Sequence, residues 1–162
     1  MREMTVYGVS LDMRSRQPIV LLKTTDEDVY VPVWIGHSEA AAILMKLQGA
    51  ETPRPMTHDL LNDVVSELSA EIAKITVTEL RENTFYALIT LRAAAAEIEI
   101  DSRPSDALAL AVRSNAPIFA ADKVIEQSGI EFEHEVEDTD EVVEKFKEFL
   151  DQVSPEDFLP DG

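Results

Sequence analysis

Two short segments hold the side chains best suited to handling a phosphate ester: Arg54-Pro55-Met56-Thr57-His58-Asp59 and Asp101-Ser102-Arg103-Pro104-Ser105-Asp106. Arg54 and Arg103 each offer a planar donor fork that matches two phosphate oxygens at once. Thr57 adds a hydroxyl donor, and His58 can take or give a proton near neutral pH. Asp101 and Asp106 supply carboxylates that can activate water or hold a divalent cation, with Glu39 as a third ligand. Both segments read as helix starts, where unpaired backbone N–H groups favour an anion.

Each assignment has a structural rival. His58 in a helix's first turn can serve a local hydrogen bond. Asp59 suits the positive end of a helix and begins a stripe continued by Asp63 and Glu67, so it stands as a secondary candidate. Asp101 ends an alternating strand with Glu97 and Glu99 on its side, the pattern of a solvated face. Glu39 and Asp106 can each be no more than an acid stabilising a helix N-terminus. Arg54 and Arg103 can pair with Asp101 or Asp106 instead of phosphate. His37 and His134 have no ligand spacing and read as surface residues, and Trp34, Phe85, Tyr86 and Phe119 read as core or interface rather than a base-stacking platform.

The elements that must position these groups follow from periodicity. Strands are expected at residues 4–11, 19–23 and 29–35, the last holding Pro32 and so restricted to an edge or bulge. Ser38 is expected to cap a helix beginning at Glu39 and running to Gln48, and Thr57 to cap a second with Leu60, Leu61, Val64, Val65 and Leu68 on one face. A hairpin turns at Arg81-Glu82-Asn83, and residues 97–101 alternate once more. Pro104 opens a helix reaching about Ser114, and residues 117–120 form a short strand.

Within this order, Ile35-Gly36-His37-Ser38-Glu39-Ala40 parallels Ile100-Asp101-Ser102-Arg103-Pro104-Ser105-Asp106-Ala107. In each, a strand passes through a short turn to Ser, an acid and Ala. The expected fold is therefore one α+β domain with a mixed, largely antiparallel sheet and packed helices, built on a duplicated strand-strand-strand-helix unit.

Three stretches, taken in order, resemble the bifunctional nuclease family. They are Val31-Pro32-Val33-Trp34-Ile35-Gly36 with Glu39-Ala40; Arg54-Pro55-Met56-Thr57-His58-Asp59-Leu60-Leu61; and Asp101-Ser102-Arg103-Pro104-Ser105-Asp106 continuing as Ala107-Leu108-Ala109-Leu110-Ala111. The resemblance spans about residues 4–130, giving a domain at 1–130 and an acidic, largely helical tail at 131–162. It implies a nuclease acting on RNA, on single-stranded DNA or on both, commonly as a homo-oligomer. The residue roles above come from side-chain chemistry, and the metal, Mg or Mn, is an expectation from the carboxylates.

Charge divides the chain at the same point. The net charge of −18 splits into 12 Lys and Arg against 19 Asp and Glu over residues 1–130, which is −7, and 2 against 13 over 131–162, which is −11. Screening over about 8 Å lets a distant tail coexist with an anion site on the body. The tail also carries an apolar stripe, Val142, Val143, Phe146, Phe149, Leu150 and Val153, suited to docking on the body, on a second copy or on a basic protein. A non-enzymatic interaction or regulatory domain is thus the alternative reading. The absence of cysteine excludes disulfides, thiolate nucleophiles and Cys-based zinc sites. No P-loop, HExxH or GxSxG pattern is present. With no membrane-length apolar run and no apolar leader, the expected location is cytoplasmic.

Overall fold

Apolar residues fill both alternating sets of the strands at Pro18–Thr24 and Val29–Trp34, so these strands bury both faces, whereas Ala96–Ser102 interleaves Ile with acids and lies exposed at an edge. The computed structural model describes residues 1–131. In chain order it contains β1 (Arg2–Leu11), β2 (Pro18–Thr24), β3 (Val29–Trp34), α1 (His37–Leu47), α2 (Thr57–Glu67) and β4 (Ala70–Arg81). There follow β5 (Thr84–Ala93), β6 (Ala96–Ser102), α3 (Pro104–Ser114), β7 (Ile118–Ala120), α4 (Asp122–Ser128) and β8 (Ile130–Glu131). The strands form one sheet in the order β6-β5-β4-β7-β1-β2-β3-β8. Its pairings are antiparallel except that of β4 with β7.

The expected α+β class is what the chain adopts, and the strand-strand-strand-helix order occurs twice, as β1-β2-β3-α1 and β4-β5-β6-α3. The two antiparallel meanders flank β7, which is parallel to β4 and antiparallel to β1. Against them packs a continuous core of Val20, Leu22, Val31, Val33, Ile43, Ile75, Val77 and the inner face of α3. From Ala107 to Ala111 every residue of α3 is buried, which makes it the central helix. A smaller cluster on the other face of the sheet joins Ile19, Leu21 and Tyr30, with the Tyr7 ring edge-on to Tyr30 at 5.3 Å.

Local signals end most elements where residue chemistry directs. Glu82 and Asn83 both adopt positive φ, 50° and 58°, the two-residue turn whose twist suits a hairpin. Gly49, at φ 67°, follows α1, with Gly49 N–H bonded to Lys46 O and Ala50 N–H to Met45 O; together these satisfy the last carbonyls of the helix. Beyond Tyr30 the β8 side of β3 has no partner among the described residues, so Pro32 occupies the edge position its missing N–H demands.

Several expectations require correction. Gly36, not Ser38, is the N-cap of α1, and Met56, not Thr57, that of α2, so the two N-caps lie two residues and one residue before the polar side chains expected to cap them. The apolar face expected to bury α2 is largely bare: Leu60, Leu61, Val64 and Leu68 are exposed, and only Val65 and His58 are buried. These two lie seven residues apart, on one helix face, and α2 turns that face toward α3. Residues 132–162, with His134 and the apolar stripe of the tail, lie outside the described residues.

Candidate active site

Three helices begin around one cleft of about 870 Å³. Ser38 and Glu39 come from the first turn of α1, Thr57 and His58 from that of α2, and Arg103 and Asp106 from the start of α3, while Asp101 and Ser102 end β6 beside them. The duplicated unit accounts for two of these three starts. Glu39 and Asp106 are each the third residue of their helix, and their partner is the same side chain. Arg103 donates from Nη2 to Glu39 Oε1 at 2.9 Å, and from Nε and Nη2 to Asp106 Oδ2 at 2.9 and 2.8 Å.

The other oxygen of Asp106, Oδ1, lies 2.9 Å from His58 Nε2. Burial raises the Asp106 carboxyl, but the hydrogen bonds and charges of His58 and Arg103 outweigh it, and its pKa ends below the usual carboxylate value. Asp106 is therefore ionised near neutrality and can only accept, so His58 Nε2 must carry the proton in this contact. The remaining nitrogen, Nδ1, has no hydrogen-bond partner among the described residues and is the atom left for proton exchange.

Arg103 is held charged by its hydrogen bonds to Asp106 and then Glu39, both raising its pKa. Its side chain is nonetheless 66% exposed. Ion pairs in such solvent contact are worth about 1 kcal/mol or less, so the guanidinium can exchange carboxylate for phosphate at small cost. Gly36 leaves room for this arrangement: a Cβ there would run into the Glu39 carboxylate and displace it from Arg103.

Of the residues expected to do chemistry, His58, Asp101, Arg103, Asp106, Thr57 and Glu39 line this one cleft, and Arg54 and Asp59 do not. Arg54 sits exposed in the loop between Pro53 and Pro55, three residues before α2, while the cleft is built from first helical turns. Asp59 follows His58 by one residue, about 100° around the helix, and faces elsewhere. It accepts Met56 N–H at 2.9 Å and Arg113 Nε at 2.7 Å, which together hold its pKa low. Arg113, whose side chain is 5% exposed, also donates to Ala109 O and Ala42 O, so Asp59 anchors a clamp joining α1, α2 and α3. Sequence reasoning passed over Arg113, although an arginine directly after the apolar run Ala107 to Val112 is a signal of such a buried pair. Arg103 is paired with Glu39 and Asp106; Asp101 has no ion-pair or hydrogen-bond partner among the described residues.

Among the described residues, no three His, Cys, Asp or Glu side chains are grouped to hold a metal ion. Both oxygens of Asp106 and one of Glu39 are already engaged, so Asp101, Asp106 and Glu39 do not fit a cation centre as these side chains stand. No helix among the described residues is long and apolar enough to cross a membrane.

Comparison with known proteins agrees with the motifs. An uncharacterized protein of Mycobacterium tuberculosis is 42% identical over 165 aligned residues, covering 98% of each chain. Bifunctional nuclease 1 of Oryza sativa subsp. japonica is 22% identical over 122 residues, covering 74% of this chain but 37% of the rice protein. The model of the bifunctional nuclease domain matches residues 20–133, which include the whole cleft. By that match, over more than half its length, the chain belongs to the bifunctional nuclease domain family.

Proposed function

We propose that this chain hydrolyses phosphodiester bonds of RNA or single-stranded DNA in the cleft where α1, α2 and α3 begin. The observation that carries the reading is the joining of His58, Asp106 and Arg103 by direct hydrogen bonds at that point. The family, and rice relatives named as bifunctional nucleases, support it. Arg103 binds the phosphate, assisted by Thr57 and by the N-terminal ends of the helices. His58 Nδ1 takes a proton from water as its oxygen bonds to phosphorus; the ester P–O bond breaks, the departing oxygen takes a proton from solvent, and His58 returns its own to solvent. Asp106 holds the imidazole in position. Arg54, exposed outside the cleft, serves at most an extended strand.

Charge sets a requirement on this reaction. Glu39, Asp101 and Asp106 together carry −3 against the single + of Arg103, so an entering phosphodiester needs further positive charge from the helix ends or from added Mg or Mn. The test is cleavage of single-stranded RNA and DNA by purified full-length protein, with and without each metal. Cutting is expected, with His58→Ala and Asp106→Asn both losing it. Wild-type rates in both variants overturn the site, and no cutting by the wild type across the metal series overturns the function.

The acidity of residues 131–162 favours a second reading, a cytoplasmic interaction or regulatory domain whose tail binds a basic protein. A partner captured by the full chain but not by a chain ending at residue 130 supports it. Faster cleavage by the shortened chain instead assigns the tail to covering the site. Self-association as a homo-oligomer would bring a second copy over the exposed Ile98 and Ile100 of β6, which is an edge strand of the sheet among the described residues. Sedimentation is expected to show an assembly that Ile98→Ser with Ile100→Ser dissociates, and a wild-type monomer removes this proposal.

A further inference from the structure

A second cavity, of about 210 Å³, opens beside the catalytic cleft, and Arg103 lines both. Its composition is unlike that of the cleft. Trp34 from the end of β3 and Phe85 from the start of β5 are half-buried in its walls, Gln17 and Asn83 stand at its rim, and no acidic side chain lines it. Strands that lie far apart in the sheet order meet here because the sheet curls, bringing the β4–β5 hairpin against the end of β3.

The volume corresponds to about seven waters at roughly 30 Å³ each, the scale of a single heteroaromatic ring system. Aromatic walls supply faces on which any base can stack. Among the described residues the side-chain amides of Gln17 and Asn83 have no hydrogen-bond partner, and each carries the donor and acceptor a base edge presents in return. Arg103, shared by cavity and cleft, sits where the phosphate of the same nucleotide would lie.

We propose that this cavity is a nucleobase subsite, in which Trp34 and Phe85 stack on one base of the strand, Gln17 and Asn83 contact its edge, and Arg103 holds the adjoining phosphate at the mouth of the cleft. The proposal rests on the phosphodiesterase reading and adds how the substrate is gripped. Trp34 and Phe85, expected from the sequence as core or interface, pack partly against the two apolar clusters and also line this cavity.

Trp34 is the only tryptophan in the chain, so its emission reports on this cavity alone. The full-length protein is titrated with UMP and AMP, and with ribose 5-phosphate and inorganic phosphate as probes that lack a base. Saturable changes in emission are expected with both nucleotides. Ribose 5-phosphate should bind about tenfold more weakly, the scale on which one stacked base strengthens binding. Phe85→Ala should weaken UMP and AMP by a similar factor, with circular dichroism checking its fold. Asn83→Gly removes the amide while suiting the positive φ of that turn, so it tests the edge contact in an intact hairpin. Equal affinity with and without the base, or unchanged nucleotide affinity in both variants, overturns the subsite. Base-dependent binding by a protein that cuts neither RNA nor DNA supports the subsite and removes the hydrolytic reading. Full cleavage with no response of Trp34 and no effect of Phe85→Ala or Asn83→Gly removes the subsite alone.

Discussion

The two strand-strand-strand-helix units share a topology and divide burial in opposite ways. In the first, β2 and β3 are almost wholly buried, while α1 keeps Leu44 and Leu47 exposed. In the second, β6 is exposed along nearly its whole length, while the middle of α3 is buried completely. A matching acid at the third helical position has diverged with its surroundings. Among the described residues Glu39 is paired only with Arg103, whereas Asp106 is paired with both Arg103 and His58 of the inserted helix α2. Duplication can supply two equivalent helix starts, but the insertion of α2 gives only Asp106, of these two acids, a histidine partner among the described residues.

The largest expected difference between the units is therefore in cleavage rate. Asp106→Asn should lower kcat/KM for RNA by about 10²–10⁴-fold, the range for losing general acid–base catalysis, because the imidazole loses its orienting carboxylate. Glu39→Gln should cost about tenfold or less, since Arg103 keeps its contacts with Asp106. Equal losses from the two substitutions would show that the halves contribute alike and that His58 is not the distinguishing partner.

Stability should divide along the other axis. Leu108→Ala in α3 and Leu22→Ala in β2 each empty a fully buried position and should cost about 2–5 kcal/mol in urea denaturation. The changes Leu44→Ala in α1 and Ile98→Ala in β6 remove exposed side chains and should stay within about 0.5 kcal/mol. A large loss from Ile98→Ala would mean that β6 is covered in solution, which would sharpen the case for a second copy on that edge.

Much of this was legible in the sequence, for identifiable reasons. Alternation located the meanders, and the recurrent Ser, acid and Ala after a strand marked the two helix starts that Arg103 now links. His58, Arg103 and Asp106 were distinguishable because their types suit phosphate chemistry at helix starts. What could not be read was rotation and cover. Periodicity showed that α2 has an apolar face but not that most of it would remain exposed. Spacing put Arg54, His58 and Asp59 together, yet a loop position and one helical step of about 100° sent three neighbours to three environments. The role of Arg113 required knowing that α1, α2 and α3 meet, a tertiary fact that no local pattern contains.

A smaller effect concerns acid stability. The pKa of Asp106 and that of Asp59 lie below the ordinary carboxylate value of 3.8. In the window between the folded and unfolded values, the unfolded chain binds more protons. Their contribution is present above the unfolded pKa and is lost as pH falls through the folded one. Thermal unfolding followed from pH 7 downward should thus show stability declining below about pH 4, with a shallower decline in Asp106→Asn and Asp59→Asn. An unchanged slope in both variants would place the acid sensitivity elsewhere.

The smallest expected effect isolates the weaker half of the Arg103 bridge. A Cβ at Gly36 has nowhere to go except against the Glu39 carboxylate. The end of that side chain is flexible, so the cheap response is for Glu39 to release Arg103, an exposed pair worth about 1 kcal/mol or less. Gly36→Ala should accordingly reproduce the modest rate loss of Glu39→Gln and no more. Because both substitutions break the same contact, their effects should not add, and the double variant should match either single one. Additive losses in kcat/KM would show that Gly36 serves the backbone at the start of α1 rather than the carboxylate, leaving Glu39 tied to the site by Arg103 alone.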